Sequence, residues 1–301
     1  MHPELIKLEE TFKPSILTKI DEPLCAKFGI ELWMKRDDLL HPIISGNKWR
    51  KLKFILDHAL YSGADTIISM GGMYSNHLHA LAYVGKALGL KTIAYVRGEE
   101  PVVLTPTLVD LSSWGMELRF ISRTDYRKLR QYKGYLDLPG ITPQQYWLPE
   151  GGAQVLALSG VAELVKEIKI SYDYLCVPCG TGTTLAGLIA ASDDKVSVLG
   201  FAALKNAGFL NKDVNSLLKQ SKNNWLINLD YHFGGFASTT PELLNFMSDF
   251  EAKTKIQLEP IYTGKMMFAL YDLISKAYFN AGQRVLAVHT GGLQGDRERS
   301  R

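Results

Sequence analysis

Short β-rich runs alternate with amphipathic helical stretches along almost the whole of the 301-residue chain, and this alternation constrains the fold more than any other feature. We predict strands over residues 30–35, 66–70, 92–96, 118–122, 145–149, 174–177, 196–202, 225–230 and 285–289. We predict the clearest helices over residues 48–61, 76–88, 155–168, 240–253 and 264–279. Because strands that are joined through helices pair in parallel, the pattern predicts an α/β protein with mostly parallel sheets.

Two glycine-containing breaks divide this pattern. Ser62-Gly63 and Glu150-Gly151-Gly152 bracket a self-contained set of four predicted strands. They predict a small α/β domain of residues 61–157, inserted into a large discontinuous domain of residues 1–60 and 158–301. In a protein built in this way, the ligand is expected in the cleft between the two domains.

Composition excludes several classes of function. The hydrophobic fraction of 46% is ordinary for a globular enzyme-sized chain. The 34 Lys and Arg nearly balance the 31 Asp and Glu, and a net charge of +3 gives no reason to expect a nucleic-acid partner. The sequence shows neither a signal-like leader nor a run of apolar residues long enough for a membrane span. We therefore expect a cytoplasmic protein with no membrane contact.

The three cysteines do not predict a metal or redox site. Cys176 and Cys179 have the C-x-x-C spacing of such sites, but they lie in a run that we interpret as a buried strand, and no second pair of ligands accompanies them. His77 and His79 are two residues apart on a predicted helix and so point in different directions. We predict no metal site.

Lys48 is the first residue to which we assign chemistry. It follows Gly46-Asn47 at the start of a predicted helix. The positive end of a helix, together with Arg50 and Lys51, lowers the pKa of an amine and so favours its nucleophilic form. The alternative is an ordinary solvated lysine in a basic helix start.

A Gly/Thr loop about 130 residues further on has the properties of a phosphate site. Gly180, Thr181, Gly182, Thr183 and Thr184 end a predicted strand and open a helix, so they offer unhindered N–H groups, hydroxyls and a helix dipole. A phosphate loop paired with an amine that can form an imine is what pyridoxal 5'-phosphate (PLP) requires, and we predict PLP as the cofactor. A plain turn between strand and helix is the alternative.

Polar residues also gather at the ends of other predicted strands. Ser75, Asn76 and His77 follow the strand over 66–70, where ligands of α/β proteins bind, although Ser or Asn there could simply cap the helix. Near the end of the chain, Tyr262 and Thr290 lie in two further loops that we expect to line the same cleft.

Taken in order, these segments resemble the fold-type II PLP enzymes, specifically the branch of D-cysteine desulfhydrase and 1-aminocyclopropane-1-carboxylate (ACC) deaminase. The resemblance spans nearly the whole chain. It rests on these segments: Lys35-Arg36-Asp37-Asp38, Gly46-Asn47-Lys48, Arg50-Lys51-Leu52, Ser75-Asn76-His77, Pro149-Glu150-Gly151-Gly152, Gly180-Thr181-Gly182-Thr183-Thr184, Tyr262-Thr263-Gly264-Lys265 and His289-Thr290-Gly291-Gly292.

The resemblance implies a tryptophan synthase β-like fold of two open α/β domains, in a homodimer, with the cofactor in the cleft between the domains. It implies that Lys48 bonds the cofactor aldehyde, that Asn76 contacts the pyridine 3'-oxygen and that residues 180–184 hold the phosphate, helped by Lys51. By the same resemblance Thr290 faces the pyridine nitrogen. The implied catalytic residues are Lys48, Ser75 and Tyr262, and the implied contacts of a small amino-acid substrate are Ser75, Asn76, His77 and Tyr262.

Two positions discriminate within this branch. The segments of ACC deaminases that correspond to residues 262–265 and 289–292 resemble Tyr-Glu-Gly-Lys and His-Leu-Gly-Gly. In this chain the second residue of each segment is a threonine, Thr263 and Thr290. Opening a cyclopropane ring demands a stronger electron sink than removing an α-proton, so loss of the Glu favours elimination. We therefore expect a lyase that carries out α,β-elimination on a small D-amino acid, with D-cysteine giving pyruvate, ammonia and sulfide.

Several alternatives stay open at the level of sequence. ACC deaminase is the second candidate, and Tyr74, where the family often has Gln, leaves room for another small D- or β-substituted amino acid. A protein that keeps the pocket only to bind PLP is opposed by Lys48, Ser75 and Tyr262. A dinucleotide-dependent oxidoreductase is opposed by the glycine spacing after residue 180, because the third glycine of the loop is Gly187.

Overall fold

Two open β-sheets carry the fold in the computed structural model, which describes residues 1–297. The strands are β1 Leu17–Ile20, β2 Glu31–Lys35, β3 Thr66–Gly71, β4 Lys91–Arg97, β5 Met116–Ile121, β6 Gln145–Leu148, β7 Tyr174–Cys179, β8 Ser197–Ala202, β9 Trp225–Asn228 and β10 Arg284–Val288. The helices are α1 Pro3–Glu9, α2 Pro23–Phe28, α3 Asn47–Tyr61, α4 Asn76–Leu88, α5 Pro106–Ser113, α6 Arg123–Leu129, α7 Leu156–Glu167, α8 Thr183–Ala191, α9 Leu210–Leu217, α10 Pro241–Thr254 and α11 Thr263–Ser275.

The larger sheet has the strand order β1-β2-β10-β7-β8-β9 and is parallel except at one edge. There β1 pairs antiparallel with β2, with Leu17 opposite Lys35 and Ile20 opposite Leu32. The sequence pattern missed β1, because four residues at a sheet edge show too little alternation to stand out. The fold class is confirmed, since both sheets are mostly parallel.

The smaller sheet has the order β5-β4-β3-β6 and is parallel throughout. All six residues of its inner strand β3 are buried, which explains why β3 reads as a nearly continuous apolar run. The sheet falls inside the segment 61–157 that was predicted as a small domain. Where the domain boundaries lie stays a prediction.

All nine predicted strands and all five predicted helices are present in the structure, with ends shifted by a few residues. The largest difference is at α11, which ends at Ser275 because Ala277 adopts a left-handed conformation with φ of 53°. Short helices such as α1, α2 and α5 were not predicted. Each of them begins with a proline. A proline is common in the first turn of a helix but also in ordinary turns, so it does not by itself predict a helix as short as these.

Close packing of α3 against α7 fixes the start of α3. A Cβ on Gly160 of α7 would lie 1.8 Å from the carbonyl oxygen of Arg50, so only glycine allows this approach. The Arg50 guanidinium is 4% exposed and donates to both oxygens of the buried Asp37 at 3.1 Å. It also donates to Glu167 of α7, which accepts from Lys35 at 2.8 Å as well. This ionic network holds α3 to both the sheet and α7.

The cysteines are buried free thiols, and the predicted strand that contains Cys176 and Cys179 is confirmed as β7. Burial raises the pKa of the Cys179 thiol to about 12 and that of Cys25 to about 11, the opposite of what a reactive thiol needs. Within residues 1–297, no helix combines the length and the apolar character that crossing a membrane requires.

Candidate active site

Lys48 lies in the first turn of α3, where its amine donates to Oδ1 of Asn47 at 2.7 Å. The amide nitrogen of Asn47 in turn donates to the hydroxyl of Thr184 at 2.8 Å. A single asparagine therefore connects the predicted reactive amine to the predicted phosphate loop. Burial lowers the pKa of Lys48 to about 8, while the negative charge of Glu259 acts in the opposite direction.

Lys51, one turn further along α3, is buried, whereas Lys48 is partly exposed, and the Lys51 amine donates to the carbonyl oxygen of Gly151. Burial, reinforced by the positive charge of Lys48, holds the pKa of Lys51 well below its usual value. Within residues 1–297, neither amine has a carboxylate within 4 Å. Two neighbouring amines without a carboxylate within this distance fit a pocket that takes an anionic cofactor such as a phosphate ester.

The Gly/Thr loop follows β7 and opens α8. Gly182 is the N-cap of α8 with φ of 74°, a backbone conformation that glycine adopts without strain. The hydroxyls of Thr181 and Thr183 are 3.1 Å apart, and Thr183 and Thr184 are almost fully buried. The loop lies beside both amines, because Thr184 is linked to Lys48 through Asn47 and Thr181 lies against Gly151, whose carbonyl oxygen accepts from Lys51. A helix start in this place offers free N–H groups, which a phosphate site requires.

Ser75 and Asn76 lie at the start of α4, after the carboxyl end of β3. The Ser75 hydroxyl accepts from the Leu78 amide at 3.2 Å, so Ser75 caps α4 and keeps its own proton for donation. The Oδ1 atom of Asn76 accepts from Gln294 at 2.7 Å. Because this contact fixes the amide orientation, the Asn76 amide nitrogen is the atom that can donate to a ligand.

His77 is more deeply placed than its neighbours and is 3% exposed. Its Nε2 atom lies 2.9 Å from the Ser69 hydroxyl, which donates to the Leu148 carbonyl oxygen. Burial, together with the charges of Lys51 and Lys48, holds the pKa of His77 well below its usual value. A neutral imidazole held in this way positions the start of α4, whereas the sequence predicted a direct contact with substrate. That contact stays a prediction.

Tyr262 lies beside the Gly/Thr loop, at the start of α11. A Cβ on Gly180 would come within 3.1 Å of the Tyr262 hydroxyl and ring, so glycine at 180 makes room for the phenol. Burial raises the pKa of Tyr262, and the negative charges of Glu259 and Glu150 raise it further. The phenol therefore stays protonated, which suits a hydrogen-bond donor.

Glu259 was not singled out from the sequence, and the structure gives it a central position. Its carboxylate is 3% exposed and accepts from three backbone N–H groups, those of Ile261, Tyr262 and Thr263, at 2.8, 2.9 and 2.6 Å. The Thr263 hydroxyl lies 3.2 Å from the same carboxylate. Glu259 thus shapes the turn that carries Tyr262 and places a buried negative charge near Lys48.

Thr290 lies on the loop after β10, against the start of α3. Its carbonyl oxygen accepts from the Asn47 amide at 3.3 Å and would be 1.9 Å from a Cβ on Gly46. Only glycine at 46, with φ of 66°, allows this approach. On the same loop, the position of a Cβ on Gly292 is 2.8 Å from Nδ2 of Asn76 and 3.4 Å from Cγ of Glu259. This loop therefore joins the start of α3 to both Asn76 and Glu259.

The structure thus brings together the predicted residues from four helix starts and two strand-end loops, and adds three that the sequence had not marked: Asn47, Glu259 and Gln294. Asn47 belongs to a segment that carried the family resemblance, and Glu259 lies close to another. The sequence spacing does not show that the Asn47 amide links two parts of the site, or that the Glu259 carboxylate accepts from the start of α11. Gln294 comes from a distant part of the chain and could not be paired with Asn76 in advance.

The family model "Pyridoxal-phosphate dependent enzyme" matches residues 17–291, which includes every residue of this site except Gly292 and Gln294. The chain belongs to this family. PLP is therefore its cofactor, and the predicted family and cofactor are confirmed. The two amines, which have no carboxylate within 4 Å among residues 1–297, and the Gly/Thr loop described above fit the aldehyde and phosphate ends of that cofactor.

Relatives within the family carry two kinds of name. A "Bifunctional D-cysteine desulfhydrase/1-aminocyclopropane-1-carboxylate deaminase, mitochondrial" of Arabidopsis thaliana is 31% identical over 89% of this chain and 73% of its own. A "D-cysteine desulfhydrase" of Salmonella paratyphi A is 28% identical over 88% and 87%. A "Putative 1-aminocyclopropane-1-carboxylate deaminase" of Pyrococcus abyssi is 32% identical over 98% and 96%.

Solved structures agree on the fold. An "ACC deaminase homologue" aligns with a TM-score of 0.80 and 27% identity over 98% of this chain and 97% of that chain. Threonine deaminase isoform 2 of Solanum lycopersicum aligns with a TM-score of 0.68 over 96% and 82%, and its 12% identity shows the fold alone. The predicted fold-type II architecture is confirmed, and the chain is a PLP-dependent enzyme of the D-cysteine desulfhydrase and ACC deaminase family.

Proposed function

We propose that this enzyme carries out α,β-elimination on a small D-amino acid, with D-cysteine giving pyruvate, ammonia and sulfide. The observation that carries the proposal is the side chain at position 263. Thr263 is fully buried and its hydroxyl contacts the Glu259 carboxylate and carbonyl oxygen, so it offers no carboxylate where ACC deaminases resemble Tyr-Glu-Gly-Lys. Elimination needs a weaker electron sink than ring opening does.

The pocket residues divide the work of such a reaction. When bound, PLP supplies the aldehyde that captures the substrate amine and the conjugated ring that accepts electrons from the α-carbon. Lys48, with its pKa lowered to about 8, has a substantial neutral fraction near neutral pH and is suited to take the α-proton. Lys51 and residues 180–184 hold the phosphate in our proposal, and Asn76 donates from Nδ2 to the ring oxygen.

Ser75 and Tyr262 are assigned to the substrate. The Ser75 hydroxyl accepts from Leu78 and can donate its proton to the substrate carboxylate. The protonated phenol of Tyr262, placed over Gly180, can donate to the leaving β-substituent. Lys51 is buried, and Lys48 and Tyr262 are partly buried, so these groups are largely screened from bulk water, which strengthens each polar contact.

A parallel substrate panel tests the proposal. Purified enzyme is given D-cysteine, L-cysteine, β-chloro-D-alanine, D-serine and ACC, with pyruvate, sulfide and 2-oxobutanoate measured separately and Lys48→Ala as the inactive control. We expect the highest kcat/KM with a β-substituted D-amino acid and negligible 2-oxobutanoate from ACC. A higher kcat/KM for ACC would replace this function with ACC deamination, the activity in the name of the Pyrococcus abyssi relative.

A further inference from the structure

Four arginines surround one cavity on the smaller sheet, and none of the residues that line it belongs to the site described above. A cavity of about 310 Å³ is lined by Arg97, Arg123, Arg127 and Arg130 together with Tyr126. Arg123 and Arg127 lie one turn apart on α6, and Arg130 follows at the end of that helix, so the three share one helix face. Arg97 reaches the same cavity from the end of β4.

Most of this positive charge is not neutralised by the protein. Arg130 pairs with Glu150 at 2.8 Å, and Glu150 also accepts from the Tyr126 hydroxyl at 2.6 Å. Considering residues 1–297, Arg97, Arg123 and Arg127 have no carboxylate within 4 Å. Like charges spaced four residues apart on a helix disfavour each other, so the arrangement has an electrostatic cost that a bound anion would relieve.

The cavity also has a built floor. The Tyr126 ring is 2% exposed, and the guanidinium carbons of Arg97 and Arg130 lie 5.7 and 5.5 Å from its centroid. Contacts of this kind with an aromatic face, together with the Glu150 ion pair, restrain long side chains that would otherwise move freely. The guanidinium groups of Arg97 and Arg130 are therefore restrained at the cavity, and in the described part of the chain Arg97 is the one of the two without a carboxylate partner.

The position in the fold is that of a ligand site. Arg97 ends β4, Arg123 follows the end of β5, and Glu150 follows the end of β6, so all three lie at the carboxyl edge of the smaller sheet. Ligands of open parallel sheets bind at this edge. The Arg97 guanidinium also lies 3.8 Å from the position of a Cβ on Gly72, in the loop that leads to Ser75.

We propose that Arg97, Arg123, Arg127 and Arg130 bind the phosphate groups of a small phosphorylated molecule, separately from the cofactor phosphate. Planar guanidinium groups bind phosphate oxygens in pairs, and several of them around a cavity of this size suit a diphosphate or a compact phosphate ester. The cavity is too small for a folded partner and has a single aromatic side chain for stacking, so we favour a small molecule over single-stranded nucleic acid.

Calorimetric titration of the PLP-loaded enzyme with inorganic pyrophosphate tests the site. The holoenzyme is used because the cofactor phosphate then fills the loop at residues 180–184. We expect saturable one-to-one binding that persists in about 0.15 M salt, where weak surface attraction is screened. In Arg123→Gln/Arg127→Gln the affinity should fall by at least about tenfold, because two charge-assisted contacts are lost.

Arg119→Gln is the matched control, since Arg119 is an exposed arginine of the same sheet that pairs with Glu117. It should bind pyrophosphate as the parent protein does. Absence of saturable binding, or equal weakening by the control and the double variant, would overturn the proposal. Tighter binding of a short single-stranded oligonucleotide than of pyrophosphate would overturn the choice of a small molecule.

Discussion

At the scale of single residues, the site combines buried amines with one buried carboxylate. Lys48 and Lys51 lie without carboxylate partners within 4 Å in the described part of the chain, while Glu259 is surrounded by N–H donors at the start of α11. Burial disfavours the charged form of each group. The neutral, nucleophilic form of Lys48 is therefore more accessible near neutral pH than that of a free lysine, and the two amines leave room for an anionic group of the cofactor.

The first prediction concerns the reactivity of Lys48 in protein from which PLP has been removed. Trace labelling with an acylating reagent over a range of pH, followed by peptide mass spectrometry, should give Lys48 an apparent pKa of about 8. The sign follows from burial, which favours the neutral amine, so the labelling rate should level off above that pH and fall steeply below it. An apparent pKa near that of a free lysine would contradict the burial of the amine.

The second prediction concerns Glu259→Gln. The substitution keeps the size of the side chain but removes the negative charge that raises the pKa of Lys48, so the labelling pKa should move further down. It should also lower the stability by about 1–3 kcal/mol, because a glutamine amide has one acceptor oxygen and would turn its NH2 group toward either the Ile261 N–H or the Tyr262 and Thr263 N–H groups. Glu259→Asp, which retains charge, is the control. An unchanged Lys48 pKa in Glu259→Gln would show that Glu259 carries no charge at this site.

At the scale of secondary-structure elements, helix starts do most of the positioning. The starts of α3, α4, α8 and α11 each follow a turn that brings a polar group into the site, and close contacts at glycine fix where α3 and α8 begin. The start of α3 is held from outside as well, by the Arg50, Asp37 and Glu167 network and by Gly160 of α7. A small shift of α3 would move Lys48 and Lys51 together.

The third prediction concerns Gly160→Ala in α7. In an exposed helix interior this change usually stabilises a protein by about 1 kcal/mol. Here the added methyl group would lie 1.8 Å from the Arg50 carbonyl oxygen, so we expect a loss of about 1–3 kcal/mol in urea unfolding and weaker PLP binding through displacement of α3. Gly208→Ala is the control, since a Cβ there meets no atom within 4 Å. Equal stability of the two variants would contradict the tight packing.

At the scale of the whole molecule, the cofactor is expected to connect the two sheets. Lys48, the Gly/Thr loop and Tyr262 come from the segments of the larger sheet, while Ser75, Asn76 and Gly151 come from those of the smaller sheet. Contacts such as Lys51 with Gly151 already cross between them. A ligand that touches both sets should stabilise the molecule as one unit. The homodimer and the cytoplasmic location stay predictions.

The fourth prediction concerns this stabilisation. Adding PLP to cofactor-free protein should raise the unfolding temperature, since a ligand at a thousand times its dissociation constant stabilises by about 4 kcal/mol. Thr181→Glu should lose most of this gain, because a carboxylate would repel the phosphate dianion at a position that is only partly buried. Thr181→Gln, of the same size without the charge, should retain most of it. If Thr181→Glu gains as much as the parent, residues 180–184 do not hold the phosphate.

The sequence by itself determined the fold class, nine of the ten strands in the described part of the chain, and the segments that carry the site. Periodicity and glycine-bounded strand ends are local properties, and a chain of this pattern has few ways to bury its apolar runs. The order of the motifs along the chain was enough to identify the family. The sequence did not predict the antiparallel edge strand β1, because its four residues show little alternation and form a strand through pairing with β2.

Only the tertiary structure decided which polar groups meet. Asn47 joins Lys48 to Thr184 across 137 residues, and Gln294 orients Asn76 across 218. The Glu259 carboxylate is buried where the first N–H groups of α11 donate to it. Four arginines line one cavity because β4 and α6 lie side by side. Hydrogen bonds and charges act over a few ångströms in space, whatever the separation in sequence, so contacts of this kind exist only once the chain has folded.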